Sequence, residues 1–237
     1  MIRTRVTGGR VLVIEHPGTE MPGVIGERAA ELGFQVVRFA VEKGAPFPEP
    51  RGFATLVVLG SVESVFDTRV PWIGPEADLV AAAVAGSVPV LGLCFGGQLL
   101  AQVLGGQVAR AHRPEMGWLT VDTDDPVLVP PGPWLVWHQD AFTVPPGARE
   151  IARNEVCAQA FTYGPHLGLQ FHPEVTPQIV ESWLSESEAR GSGLGQRADA
   201  IRQATDRHAR ASASNARQLF DTFLARAGLS VTPRPSY

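Results

Sequence analysis

The first half of the chain alternates short apolar runs with stretches of helical spacing. Positions 11–14, 35–39, 56–59 and 88–93 are runs of strand length, and 25–32, 76–85 and 98–104 place apolar residues on one helical face. Gly33 and Gly86 stop two of these helices. Strands alternating with helices predict an α/β fold: an open, mainly parallel twisted sheet flanked by helices. After Gly106 the runs shorten, at 118–123, 134–137, 159–163 and 167–171, with turn residues between them, which predicts a smaller antiparallel portion. From Pro177 the pattern is helical: 178–189, a glycine-rich break at 191–195, then two helices at 198–210 and 215–227. Positions 231–237, with two prolines, read as a loose tail. The whole reads as a single domain over 1–237, with its core at 10–189 and a C-terminal helical extension and tail at 190–237.

The stretch Leu91-Gly92-Leu93-Cys94-Phe95-Gly96-Gly97-Gln98-Leu99 joins the fourth apolar run to the helix that follows it. Cys94 therefore sits on a strand-to-helix turn, between Gly92 and Gly96, whose lack of side chains permits a sharp bend. A helix N-terminus favours negative charge on sulfur there, through its partial positive charge and unpaired N–H groups. The alternative for such a cysteine is a small buried hydrophobe at a strand end.

A second apolar run, Leu167-Gly168-Leu169-Gln170-Phe171, ends in His172-Pro173-Glu174-Val175. Strand ends are where open α/β sheets hold their sites. A cysteine nucleophile needs a base, and the base needs a third group to fix its tautomer and stabilise the imidazolium. His172 and Glu174 are of the right kinds, although taken alone such a pair also occurs as a solvated or structural contact.

These motifs, together with Leu59-Gly60 running into Ser64-Val65-Phe66-Asp67 and with Trp137-His138-Gln139-Asp140, resemble the class I glutamine amidotransferases. The likeness covers roughly residues 53 to 175 and is closer to free-standing proteins related to the glutaminase domain of GMP synthase and to γ-glutamyl peptidases. The family order of cysteine, histidine and glutamate is met by Cys94, His172 and Glu174; α/β-hydrolases place the acid before the histidine. The resemblance implies a γ-glutamyl thioester on Cys94, with an oxyanion hole formed by the N–H of Phe95 and one from Gly60-Ser61. It further implies that Gln98 and the backbone around Glu115-Met116-Gly117-Trp118 hold the glutamyl group. His138 and Asp140 would meet its charged ends, while the rings of Trp118 and Trp137 pack in the core. Where the family usually has a second glycine, this chain has Ser61, which bears on the oxyanion loop.

Composition narrows the classes. The 237 residues are 44% hydrophobic and 19% charged, as in soluble globular proteins. A net charge of -4 gives no electrostatic case for nucleic acid or an anionic membrane. Arg197, Arg202, Arg207, Arg210 and Arg217 are interleaved with Asp199 and Asp206 and read as a solvated helix face. His16, His112, His138, His166, His172 and His208 show no metal-binding spacing, and no phosphate-binding G-x-x-x-x-G-K-[ST] is present, so neither metal nor cofactor is expected. Cys94 and Cys157 are too few for a disulfide framework, and no signal peptide or membrane span is read, so the cytoplasm is the expected compartment. Three functions remain open: a glutaminase component feeding ammonia to a synthetase partner, a stand-alone γ-glutamyl hydrolase or peptidase, and a scaffold or regulator of low turnover, for which Ser61 is the sole support.

Overall fold

The computed structural model describes residues 9–19, 21–191 and 193–229. The expected tail at 231–237 lies outside them, as do the first eight residues. The strand-helix alternation is realised as β1 (Arg10–Glu15), α1 (Gly23–Glu31), β2 (Gln35–Ala40), β3 (Thr55–Val58), α2 (Ile73–Ala85), β4 (Val90–Leu93) and α3 (Phe95–Val103). There follow β5 (Val108–Leu119), β6 (Asp122–Thr123), β7 (Trp134–Phe142), β8 (Arg149–Arg153), β9 (Ala158–Tyr163), β10 (His166–Leu169), α4 (Pro177–Ala189) and α5 (Gln196–Arg226).

The main sheet runs in the order β2-β1-β3-β4-β10-β9-β8-β6. Its first five strands are mutually parallel and the rest join antiparallel, while β5 and β7 form a separate antiparallel ribbon. Every residue of β3 and β4 is buried, as expected of parallel strands covered on both faces. The period of two sorts their side chains. Val11, Val13, Val57, Leu91 and Leu93 face α1 and the apolar stripe of α5, Leu219, Phe220, Phe223 and Leu224. Leu12, Ile14, Leu56, Val58 and Val90 face the other way, onto α2 and α3.

Register fixes what lies at the carboxyl edge. Ile14 pairs with Val58, Val58 with Gly92, and Leu93 with Leu169. Two residues beyond each of the first three positions stand His16, Gly60 and Cys94, and His172 follows three after Leu169. Four parallel strands, β1, β3, β4 and β10, thus deliver their successors to one edge, where open α/β sheets place their sites.

The C-terminus departs from expectation. Instead of two helices at 198–210 and 215–227, α5 is one helix of 31 residues. Its Ser212-Ala213-Ser214-Asn215 segment has the small polar residues that suggest a break, yet Ser212 and Ala216 are fully buried and Asn215 donates to the Gly132 carbonyl at 3.0 Å. Close packing of small side chains overrides their weak helical preference. Arg28 on α1 clasps Asp221 at 2.8 and 2.7 Å, and Arg202 joins Glu181 of α4 at 2.9 and 3.0 Å, so part of the arginine face ties the helices together. Strand β8 has no counterpart in the expected pattern, and β5 begins ten residues before the run at 118–123. No helix among the described residues is long and apolar enough to cross a membrane.

An unbroken α5 makes a test at Ala211, which is exposed. Ala211→Pro should cost about 3 kcal/mol and Ala211→Gly about 1 kcal/mol in denaturant unfolding, whereas a break at that point would make both nearly neutral.

Candidate active site

Cys94 occupies the turn between β4 and α3 with φ 52° and ψ -106°, in the left-handed region that side-chain-bearing residues avoid. The bend is enforced by close backbone approach. A methyl group on Gly92 would lie 2.3 Å from the Gly96 carbonyl oxygen, and one on Gly96 would lie 2.2 Å from that of Val58. The Cys94 N–H donates to the Leu169 carbonyl at 2.9 Å and ties the elbow to β10. Phe95 opens α3, so its N–H belongs to the first turn, which has no acceptor within the helix.

His172 lies just past β10, its backbone N–H bonded to the Leu135 carbonyl at 2.9 Å. Nδ1 is 2.7 Å from Glu174 Oε1, and both side chains are buried. Nε2 is buried without a hydrogen-bond partner, and the nearby Cys94 side chain contributes to the ring's electrostatics. Burial alone would lower the imidazole pKa. The Glu174 carboxylate and the Cys94 sulfur outweigh it and hold the group raised, at about 10. The ring packs edge-on against Trp183 of α4 at 4.8 Å between centroids. Glu174 is seated through its own backbone, whose carbonyl accepts the Val24 N–H at 2.9 Å from the start of α1.

Gly60 lies against this pair. A side chain there would meet His172 Cε1 at 2.9 Å and Cys94 Cβ at 3.7 Å, so only glycine fits. Neither Gly60 nor Ser61 has a positive φ, and the Ser61 hydroxyl accepts the Glu63 N–H at 3.1 Å. A serine therefore stands without strain where the resembling family has its second glycine.

Together these residues open onto a cavity of about 300 Å³. The loop after β3 contributes Ser61, Val62, Glu63 and Ser64; β7 contributes Trp137, His138, Gln139 and Asp140; α4 closes the far side with Trp183, Glu186 and Ser187, and Arg190 follows at its C-cap. Gln98, one turn into α3, lines it too, its amide donating to the Asp140 carbonyl at 3.0 Å and to Gln170 Oε1 at 3.3 Å. Asp140 receives the Ser64 hydroxyl at 2.5 Å and pairs with Arg110 at 3.0 Å. His138 bonds the Asp140 carbonyl through Nδ1 at 3.0 Å and faces Glu115 through Nε2 at 3.2 Å.

Gly117 and Trp118 are not brought to this cavity. The β5–β7 pairing places them opposite Val136 and Leu135, and the Trp118 indole N–H donates to Thr205 of α5 at 2.9 Å. Trp118 and Trp137 both pack against the apolar cluster around α4 as expected, and Trp137 also lines the cavity and presents its carbonyl 3.9 Å from the Cys94 sulfur. Residues that were given no role from sequence are Gln170, whose amide is 3.8 Å from that sulfur, the α4 wall and Arg110; Ser64 stood in a quoted motif without one. Gln170 stood two positions before His172 inside a quoted motif; nothing local marked Arg110 or the α4 wall.

Glu115, His138 and Cys157 bring three ligand-type atoms within 4.8 Å of one another. The carboxylate is already held by the amide donors of Asn154 at 2.8 Å and Gln159 at 3.0 Å. Burial and the Glu115 charge push the Cys157 thiol up to about 12, which keeps it protonated and unsuited to act as a nucleophile.

Residues 23–186 match the family model described as glutamine amidotransferase class-I. The chain is 37% identical over 195 residues to a GMP synthase [glutamine-hydrolyzing] of Thermus thermophilus, an alignment covering 76% of this chain and 37% of that one. It therefore spans little more than a third of the length of the curated relatives it matches. Among solved structures it resembles a glutamine amido transferase from Methylobacillus flagellatus, with TM-score 0.84 and 26% identity over 98% of this chain and 99% of the other. A glutamine amidotransferase from Thermotoga maritima has TM-score 0.83 at 26% identity, over 92% of this chain and 99% of that one. The chain belongs to the class I glutamine amidotransferase family.

The raised pKa of His172 has a consequence for stability. Between its ordinary value of 6.5 and about 10 the folded chain holds a proton that the unfolded chain releases. This contribution is full below pH 6.5 and is lost as pH rises through 10. Denaturant unfolding at pH 6, 8 and 10 should show a decline that Glu174→Gln, which removes the carboxylate holding the proton, flattens.

Proposed function

We propose that the chain hydrolyses the side-chain amide of glutamine through a γ-glutamyl thioester on Cys94 and supplies the ammonia to a synthetase outside these residues. The observation that carries this reading is the strained Cys94 elbow meeting the buried His172–Glu174 pair at one sheet edge. Family membership and the named activity of the curated relatives support it.

The chemistry follows from the geometry. The Cys94 sulfur, as thiolate, attacks the γ-carbonyl carbon, and the negative charge moves to the carbonyl oxygen. The N–H groups of Phe95 and Ser61, with Gly60 beside them, stabilise that oxyanion. Imidazolium His172, held by Glu174, gives its proton to the nitrogen, the C–N bond breaks and ammonia leaves. Neutral His172 then takes a proton from water as the oxygen adds to the thioester. Collapse expels the thiolate and releases glutamate, which restores the starting ion pair. Gln98, His138 and Asp140 line the space for the glutamyl group, although His138 and Asp140 are already engaged by Glu115 and Arg110.

A second reading, a stand-alone γ-glutamyl hydrolase or peptidase, draws support from the cavity continuing past the triad to Glu186, Ser187 and Arg190, which leaves room for a leaving amine larger than ammonia. The scaffold reading loses its support, because Ser61 is accommodated without a positive φ.

Glutamate release should be measured from L-glutamine and from a panel of γ-glutamyl amides and peptides. Cys94→Ala should abolish it, and Glu174→Gln should lower kcat by roughly a hundredfold or more, in line with loss of an oriented general base. A conjugate turned over far faster than glutamine would favour the second reading, and turnover surviving Cys94→Ala would remove both.

A further inference from the structure

We propose that a second buried pair, His16 and Glu76, is the device that aims the oxyanion peptide between Gly60 and Ser61. The inference rests on the thioester chemistry proposed above. His16 follows β1, the neighbour of the strand β3 that leads into Gly60, and is fully buried, as is Glu76 in the first turn of α2. Its Nδ1 lies 2.8 Å from the Gly60 carbonyl oxygen, and its Nε2 lies 3.0 and 3.1 Å from the two Glu76 oxygens.

The carbonyl can only accept, so Nδ1 carries a proton. Burial opposes protonation of the ring, but Nε2 faces Glu76, whose charge and hydrogen bond outweigh that burial and raise the pKa, favouring an imidazolium. Glu76 is thereby spent on holding charge on a ring whose other nitrogen grips one particular carbonyl. Thr19 adds a second donor to the same oxygen at 2.6 Å. In a trans peptide the C=O and the following N–H point in opposite directions. Clamping Gly60 O toward the buried side therefore turns the Ser61 N–H the other way, toward the cavity that Ser61 lines. The same imidazole packs edge-on against Phe95, whose N–H is the other oxyanion donor, at 4.9 Å between centroids, and lies 4.8 Å from Trp72. One ring thus bonds the carbonyl of one donor peptide and packs against the side chain of the residue that supplies the other donor.

Stability alone does not explain such a pair. Two charges buried completely cost desolvation that their attraction barely offsets, and apolar replacements of similar volume are often neutral or better. Charge-assisted hydrogen bonds are, however, the stronger kind and hold an acceptor more firmly than a neutral donor. Oxyanion donors act only as negative charge develops, so their misplacement should fall on kcat and spare KM. His16 and Glu76 are then positioning residues, acting through the Gly60–Ser61 peptide without touching substrate, whereas Thr19 itself lines the cavity.

The test replaces the pair together, His16→Phe with Glu76→Leu, so that no buried charge is left unpaired. Folding is checked by circular dichroism and denaturant unfolding. The double variant should keep KM within about threefold and lose roughly a hundredfold in kcat, the scale of one lost oxyanion donor. Alkylation of Cys94 by iodoacetamide, a displacement at carbon that forms no oxyanion, should change by less than about threefold. His16→Asn, which can keep a donor near Nδ1, should recover part of kcat. Unchanged kcat, or kcat and alkylation falling together, would overturn the assignment in favour of a packing role. If the wild-type chain releases glutamate from no amide, the thioester reading fails by itself. A crystal structure of the double variant then decides the clamp: a rotated Gly60–Ser61 peptide upholds it and an unmoved one removes it.

Discussion

The parallel pairing of β1, β3, β4 and β10 is the constraint on which the site depends. Because the strands run the same way and in this register, the residues leaving them arrive side by side: His16, Gly60, Cys94 and His172. A shift of one residue in any pair would turn the following side chains to the opposite face. Register is protected by complete burial of β3 and β4 on both faces, so any slip would carry the sheet's apolar residues out of both helix layers at once.

Glycine makes the remaining distances possible. The elbow brings the Gly96 backbone against β3, and the loop after β3 lies against the imidazole at Gly60. These contacts remove room for relaxation and hold Cys94 in a conformation it would not adopt in a free peptide. Sulfur, imidazole and oxyanion donors are then placed before substrate arrives, so little reorganisation remains for the reaction itself.

Two histidine–glutamate pairs stand at this edge with different environments. His172 keeps Nε2 free of any hydrogen-bond partner, with the Cys94 side chain nearby, so its proton can move during a cycle. His16 has both nitrogens bonded and lies between Trp72 and Phe95, so its proton is locked. The same two residue types serve proton transfer in one place and rigidity in the other, according to whether a nitrogen is left available.

Sequence alone determined the alternation of strands and helices, the elbow around Cys94 and the His172–Glu174 pair two residues apart, while the loop at Gly60 was marked only by the family resemblance. The first three are local, because glycine spacing, apolar period and neighbouring polar residues are written within a few positions. Tertiary structure decided what local pattern cannot carry. It drew the small residues at 212–216 into the core and made α5 one helix, and it turned Trp118 onto Thr205 and away from the cavity. It also joined His16 to Glu76 across 60 positions and set both against Gly60. Such contacts arise from sheet order and register, and a lone histidine after one strand and a glutamate opening a helix carry no mark of each other until the strands are paired.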